Sequence, residues 1–190
     1  NMKLHIDGAR IFNAAVAQDV DVKELVENVD SVTFCLSKGL SAPVGSVVCG
    51  SEEFIYHARR NRKALGGGMR QAGIIAAAGI FSLDNMLDQI REDHKNAKCL
   101  AAGIDDIDGL SIDKGNIKSN ILYFDIDKEA EQSKKLAQQT KNVDLYPFEI
   151  VLNNIHFFET YPSHFRLVTH YGITRDDVEK TLGVLNKMIN

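Results

Sequence analysis

The spacing of hydrophobic and polar positions changes repeatedly along the chain, and each change marks an element. "KLHIDGA" (3–9) is short, has β-branched Ile6 at its centre and ends in Asp-Gly, the pattern of a strand entering a loop. "RIFNAAVAQ" (10–18) reads as a short helix. "DVKELVENV" (21–29) reads as a second, with Asp21 as N-cap and Val22, Leu25, Val26 and Val29 on one face. "SVTFCLS" (31–37) and "GSVVCGS" (45–51) are continuous apolar runs, as in strands buried on both faces. The order strand, helix, helix, strand, strand predicts an α/β sheet.

Helical spacing then dominates. "SEEFIYHARRNRKAL" (51–65) opens with a serine cap and acidic first-turn residues, which suit the positive end of the helix dipole. After "GGG" (66–68), helical periodicity continues from Met69 to about Ala102 without proline, with a break near 82–84. From Gly109 the texture changes: a strand over 116–126, an amphipathic helix over 128–142, a strand over 165–172 and a capped helix over 174–189. The stretch 143–163 alternates weakly and supports no assignment. The pattern predicts two domains: 1–106, a sheet with helices that ends in long connecting helices, and 107–190, a small α+β domain.

Composition removes several functional classes. A formal net charge of −4 and a pI near 5.9 give no electrostatic case for nucleic acid or an anionic membrane, which require clustered Lys and Arg. The densest basic cluster, Arg59, Arg60, Arg62 and Lys63, is confined to one predicted helix. The longest uncharged apolar stretch, 72–81, is too short to span a bilayer. Cys35, Cys49 and Cys99 lack CxxC spacing and leave one thiol over, which suits a reducing cytoplasm; Cys35 and Cys49, set in apolar runs, read as buried and inert. The histidines show no metal-ligand spacing, so no metal is expected. His170 follows Arg166 at i+4 in the predicted strand and would share its face.

Two residues carry candidate chemistry. Lys38 follows a predicted buried strand and stands among Ser37, Gly39 and Ser41, so little bulk separates its amine from a ligand. Ligands of α/β sheets bind outside the carboxyl ends of strands, and a lysine desolvated there can form a Schiff base with an aldehyde. By itself Lys38 also reads as a loop lysine facing water. Asp7 ends another strand before Gly8, where a helix cap or metal ligand would also be ordinary. Together they place an amine and a carboxylate at one sheet edge. Pyridoxal phosphate needs both, a lysine for its aldehyde and a carboxylate to keep its ring nitrogen protonated. The glycine run 66–68 lacks the GK[ST] of a Walker A loop and reads as a helix break that lets backbone approach an anion or a neighbouring subunit.

"LHIDGARIFNAAVA" (4–17), "SKGLSAPVGSVV" (37–48) and "LGGGMRQAGIIAAAG" (65–79) resemble, in order and spacing, the low-specificity L-threonine aldolases of the fold-type I pyridoxal-phosphate superfamily. "FRLVTHYGIT" (165–174) is similar to that family's substrate-carboxylate segment. The resemblance covers most of the chain and about the second half of the family's length. It implies the second half of a fold-type I large domain, mostly parallel sheet with helices, followed by a small C-terminal domain. It further implies that Lys38 forms the Schiff base and Asp7 pairs with the pyridinium nitrogen. Arg10 and Arg166 would hold the substrate carboxylate, and Lys63 and Arg70 would lie near the cofactor phosphate. The activity implied is cleavage of L-threonine or L-allo-threonine to glycine and acetaldehyde in a homodimer or homotetramer with shared sites. A related β-eliminating lyase or an aminotransferase would share Asp7 and Lys38. An initial Asn is not an ordinary translation start, so the chain reads as part of a longer one. Taken alone, its 190 residues would bind cofactor weakly and turn over little.

Overall fold

The computed structural model of the chain describes residues 2–127, 149–152, 155–161 and 163–189. They form two compact units, Asn1–Arg91 and Glu92–Asn190. The predicted helix over 128–142 lies outside the described residues, as does part of the unassigned stretch 143–163.

The first unit begins with strand β1 (His5–Asp7) and helix α1 (Ile11–Gln18). Helix α2 (Val22–Leu25) is shorter than the periodicity of 21–29 predicts. Asp21 does cap it, accepting from the Lys23 amide while Glu24 accepts from the Asp21 amide. Past Leu25 the backbone closes in successive four-residue turns, Val26 N–H to Lys23 C=O and Val29 N–H to Val26 C=O, because the chain must reach the next strand by Ser31. Asp30 fixes that entry by accepting from the Leu4 amide at 2.8 Å and the Lys3 ammonium at 2.7 Å.

Strands β2 (Ser31–Cys35) and β3 (Ser46–Gly50) complete a sheet of order β1-β2-β3, with β1 and β2 parallel and β3 antiparallel to β2. The apolar runs predict burial on both faces. That holds in part for β2, but β3 is mostly exposed and Cys49 with it, while Cys35 is half-buried. The reason is packing: of β3 only Val47 lies against the buried core cluster of this unit, so among the described residues the rest of the strand has no core to cover it. Helix α3 (Glu52–Ala64) follows, capped by Ser51, whose hydroxyl accepts from the Phe54 amide. Helix α4 (Gly73–Asn85) and helix α5 (Leu87–Asp105) meet at Met86, close to the predicted break. Leu36, Leu40, Ala42 and Ile90 form the core of this unit, with Phe12, Phe34 and Met86 against it.

Among the described residues the second unit has a five-stranded antiparallel sheet of order β4-β5-β8-β7-β6, from β4 (Leu110–Ser111), β5 (Ile121–Ile126), β6 (Glu149–Leu152), β7 (Ile155–Tyr161) and β8 (His164–Val168). Period-two alternation turns Leu122, Phe124 and Ile126 inward. They pack with Ala97, Leu100 and Ile104 of α5 and Val178 and Leu185 of the last helix, α6 (Arg175–Ile189). Gly103 allows a close approach, since a Cβ there would stand 2.3 Å from Leu182 Cδ1. The strand predicted from 116 starts only at Ile121, because Lys114–Asn116 form a 3₁₀ turn. Buried Asn120 then donates to the Thr169 carbonyl at 2.7 Å. Strand β8 ends at Val168, so His170 lies in an exposed turn rather than on the face of Arg166.

Two outcomes are expected. Phe124 is 1% exposed and stacked on Phe165 at 5.2 Å, so Phe124→Ala should lower the unfolding free energy by about 3–5 kcal/mol, read by urea denaturation. Asp177 at the start of α6 accepts from the Thr174 hydroxyl and amide, and these bonds hold its carboxyl below the ordinary aspartate range. A depressed carboxyl stabilises above its unfolded pKa, and that stability fades as pH falls through the folded value. Asp177→Ala should therefore lower the melting temperature at neutral pH, with the gap to the parent protein closing as the pH drops below about 4.

Candidate active site

Asp7 is the last residue of β1 and pairs in register with Thr33 of β2. The next residue, Gly8, donates its amide to the Thr33 carbonyl at 2.7 Å. A Cβ at Gly8 would lie 3.1 Å from that oxygen, from Ile11 Cβ and from Val32 Cγ2, so a side chain there would have to push β2 or α1 back by a few tenths of an ångström. The chain then turns at once into α1. The exposed Asp7 carboxylate accepts from the Ala9 amide at 3.3 Å, and Arg10 occupies the N-cap with its Nε buried.

Lys38 lies three residues beyond β2 in a loop closed by its own backbone. The Leu36 amide donates to the Gly45 carbonyl at 2.9 Å, Ala42 to Leu36 at 3.0 Å and Ser41 to Lys38 at 2.8 Å. The turn requires left-handed backbone at Ser41, φ 59°, which serine tolerates at some cost, while Gly45 takes φ 117°. Buried Leu36 and Leu40 pin the loop on either side of the half-buried Lys38. Two close approaches tighten it. A Cβ on Gly39 would stand 2.5 Å from Oδ1 of Asn13, a residue of α1 only 2% exposed. A Cβ on Gly79 of α4 would stand 2.9 Å from Leu36 Cδ1. Because β1 and β2 run parallel side by side, Asp7, Arg10 and the Lys38 loop gather at the carboxyl edge of this pair.

Helix α3 runs back along the sheet, and a groove of about 500 Å³ separates its Arg59 and Arg62 from Thr33, Ser46 and Val48. Lys63 and Arg70 are both exposed; Lys63 lays its stem over Gly68, where a Cβ would meet Lys63 Cδ at 2.6 Å. Among the described residues no hydrogen bond or ion pair joins Lys63 or Arg70 to Asp7, Arg10 or Lys38. Arg166 belongs to the second unit, half-buried on β8 and paired with Tyr123 of β5. It makes no hydrogen bond or ion pair among the described residues.

Sequence reasoning missed three residues near this edge. Asn13 is one, a buried amide over the Lys38 loop whose signal was a polar residue on the packed side of α1. The others are His5 and Thr33. His5 sits two residues before Asp7, hence on the same face, with Nδ1 2.8 Å from the Ser31 hydroxyl and Nε2 3.3 Å from that of Thr33. No group of three or more His, Cys, Asp or Glu able to hold a metal exists among the described residues. None of their helices is long and apolar enough to cross a membrane.

The beta-eliminating lyase family model matches residues 1–127. Low-specificity L-threonine aldolase 1 of Arabidopsis thaliana is 42% identical over 182 residues, covering 95% of this chain and 48% of that protein. The low specificity L-threonine aldolase of Escherichia coli (strain K12) is 39% identical over 178 residues, covering 94% and 48%. The chain thus spans about half the length of the curated relatives it matches. In structure it resembles a putative L-allo-threonine aldolase from Listeria monocytogenes EGD-E, with a TM-score of 0.73 over 98% of this chain and 52% of that one. At 18% identity, that likeness shows a shared fold.

The contact between Gly39 and Asn13 can be tested directly. Gly39→Ala should cost about 1–3 kcal/mol through overpacking against the buried Asn13 amide. Asn13→Ala in the same chain should recover part of that loss, a coupling that a double-mutant cycle by urea unfolding would read.

Proposed function

The chain belongs to the beta-eliminating lyase family, and from that membership we propose that it carries the lysine-bearing part of a pyridoxal-phosphate-dependent aldolase active site. The reaction is cleavage of L-threonine or L-allo-threonine to glycine and acetaldehyde. One observation carries the reading: Asp7 and Lys38 follow neighbouring parallel strands at the same edge. The residues at that edge fit the cofactor in kind, an amine for an aldehyde and a carboxylate for a ring nitrogen. Gly39 and Gly8 leave no side chain beside either group.

Lys38 is assigned the aldehyde and Asp7 the ring nitrogen, whose proton it holds in place. Arg10 and Arg166 take the substrate carboxylate, a task suited to the planar guanidinium fork. Lys63 and Arg70 are assigned to the phosphate. Pyridoxal phosphate, when bound, supplies an electron sink for the pair released at Cα. The β-hydroxyl proton passes to a base, the Cα–Cβ bond breaks and acetaldehyde departs; a proton then returns to Cα to give glycine. The grip on the carboxylate orients the substrate and so selects which bond to Cα is cleaved.

We assign the active form to a homo-oligomer with shared sites. Supporting this are the exposed apolar residues Leu65, Met69, Ile74, Ile80 and Phe81, which run from the end of α3 along α4 beside Arg70. The family's description favours a second reading, a β-eliminating lyase using the same Lys38 and Asp7, and amino-acid product analysis separates the two.

The first test is borohydride reduction after incubation with pyridoxal phosphate, followed by peptide mass mapping at full family length. An adduct on Lys38 is expected; an unmodified Lys38 would overturn the proposal. Asp7→Asn should retain the adduct while lowering turnover by about a hundredfold or more, as for loss of one preorganised electrostatic partner.

A further inference from the structure

The outer face of the second unit's sheet carries an aromatic sandwich that the proposed reaction does not use. The His164 ring stacks on Tyr161 at 4.1 Å and 10°, and on Tyr123 at 5.2 Å and 14°. Its Nδ1–H donates to Asp125 Oδ1 at 2.8 Å. Stacked on both sides, the His164 side chain is only 15% exposed, whereas that of Asp125 is 49% exposed. The strand register explains what the sandwich governs. Asp125 stands opposite His164, and Tyr123 stands opposite Arg166, so Asp125 and Arg166 are diagonal neighbours on one face. Diagonal Cβ atoms on an antiparallel pair lie roughly 7–8 Å apart, within the reach of an arginine side chain.

An acid so placed would ordinarily pair with Arg166 and satisfy the guanidinium. Here it is turned to the imidazole, and Arg166 makes no ion pair among the described residues. The acid on the neighbouring strand, Glu159, is likewise committed, accepting from the Ser163 amide at 2.5 Å. We propose that His164 is a positioning residue: clamped between Tyr123 and Tyr161, it holds Asp125 away from Arg166 and keeps that guanidinium free for a carboxylate ligand. The inference rests on the assignment of Arg166 to the substrate carboxylate. An amino acid gains from the arrangement, because its carboxylate displaces no internal partner; an amine without a carboxylate gains nothing.

The test compares glycine with 2-aminoethanol, which lacks the carboxylate, as ligands of the pyridoxal-phosphate-loaded enzyme at full family length. Binding is read by spectral titration. His164→Phe keeps an aromatic ring in the sandwich and removes the donor. It should weaken glycine about two- to fivefold, the scale of one partly exposed ion pair, and leave 2-aminoethanol unchanged. Asp125→Asn added to His164→Phe removes the competing carboxylate and should restore glycine binding. A double variant as weak as His164→Phe alone, or an equal loss for both ligands, overturns the inference. Arg166→Ala keeps the two failures apart. If it abolishes the preference for glycine and the double variant still shows no rescue, only the role of His164 falls. If it leaves glycine binding intact, the assignment of Arg166 falls and takes this inference with it.

Discussion

The candidate site depends on the parallel pairing of two short strands. With only three residues, β1 has little hydrogen bonding to hold its register on β2, and the amide of Gly8 extends the ladder one step past Asp7 onto the Thr33 carbonyl. A slip of one residue would turn Asp7 to the opposite face, because side chains alternate along a strand. Everything placed at this edge inherits that register, including the start of α1, the buried Nε of Arg10 and the approach of Asn13 to the Lys38 loop.

Lys38 is held by apolar and backbone interactions rather than by polar contacts of its own. Leu36 and Leu40 are core residues, and the turn between them closes on its own amides and carbonyls. Lys38 therefore stands on a turn braced by its own backbone while its side chain stays half-buried. The sheet of the second unit repeats this economy, with a stacked imidazole satisfying a carboxylate so that the neighbouring cation does not have to.

The parts of the fold that were legible in sequence are those set by local chemistry. Asp-Gly after a β-branched centre marked the end of β1, Ser51 and Asp21 marked helix starts, and small residues around Lys38 marked a loop. Asp7 and Lys38 could be placed at one edge because each followed a strand. What stayed hidden depends on pairing across distance. The exposure of β3 and Cys49 follows from how little of the core reaches that strand, which an apolar run does not encode. Helix α2 stops early because the chain must meet Ser31, not because propensity fails at Val26. Asn13 over Gly39, His5 beside Thr33, and His164 between two tyrosines are contacts between segments whose separate patterns gave no reason to join them.

Gly79 sets how closely α4 can approach the Lys38 loop. With no side chain at that position, the helix presses on Leu36 Cδ1, one end of the Lys38 loop, while its neighbours Ile80 and Phe81 face outward. The spacing between α4 and the turn that carries Lys38 is therefore set by a side chain that is missing, at position 79.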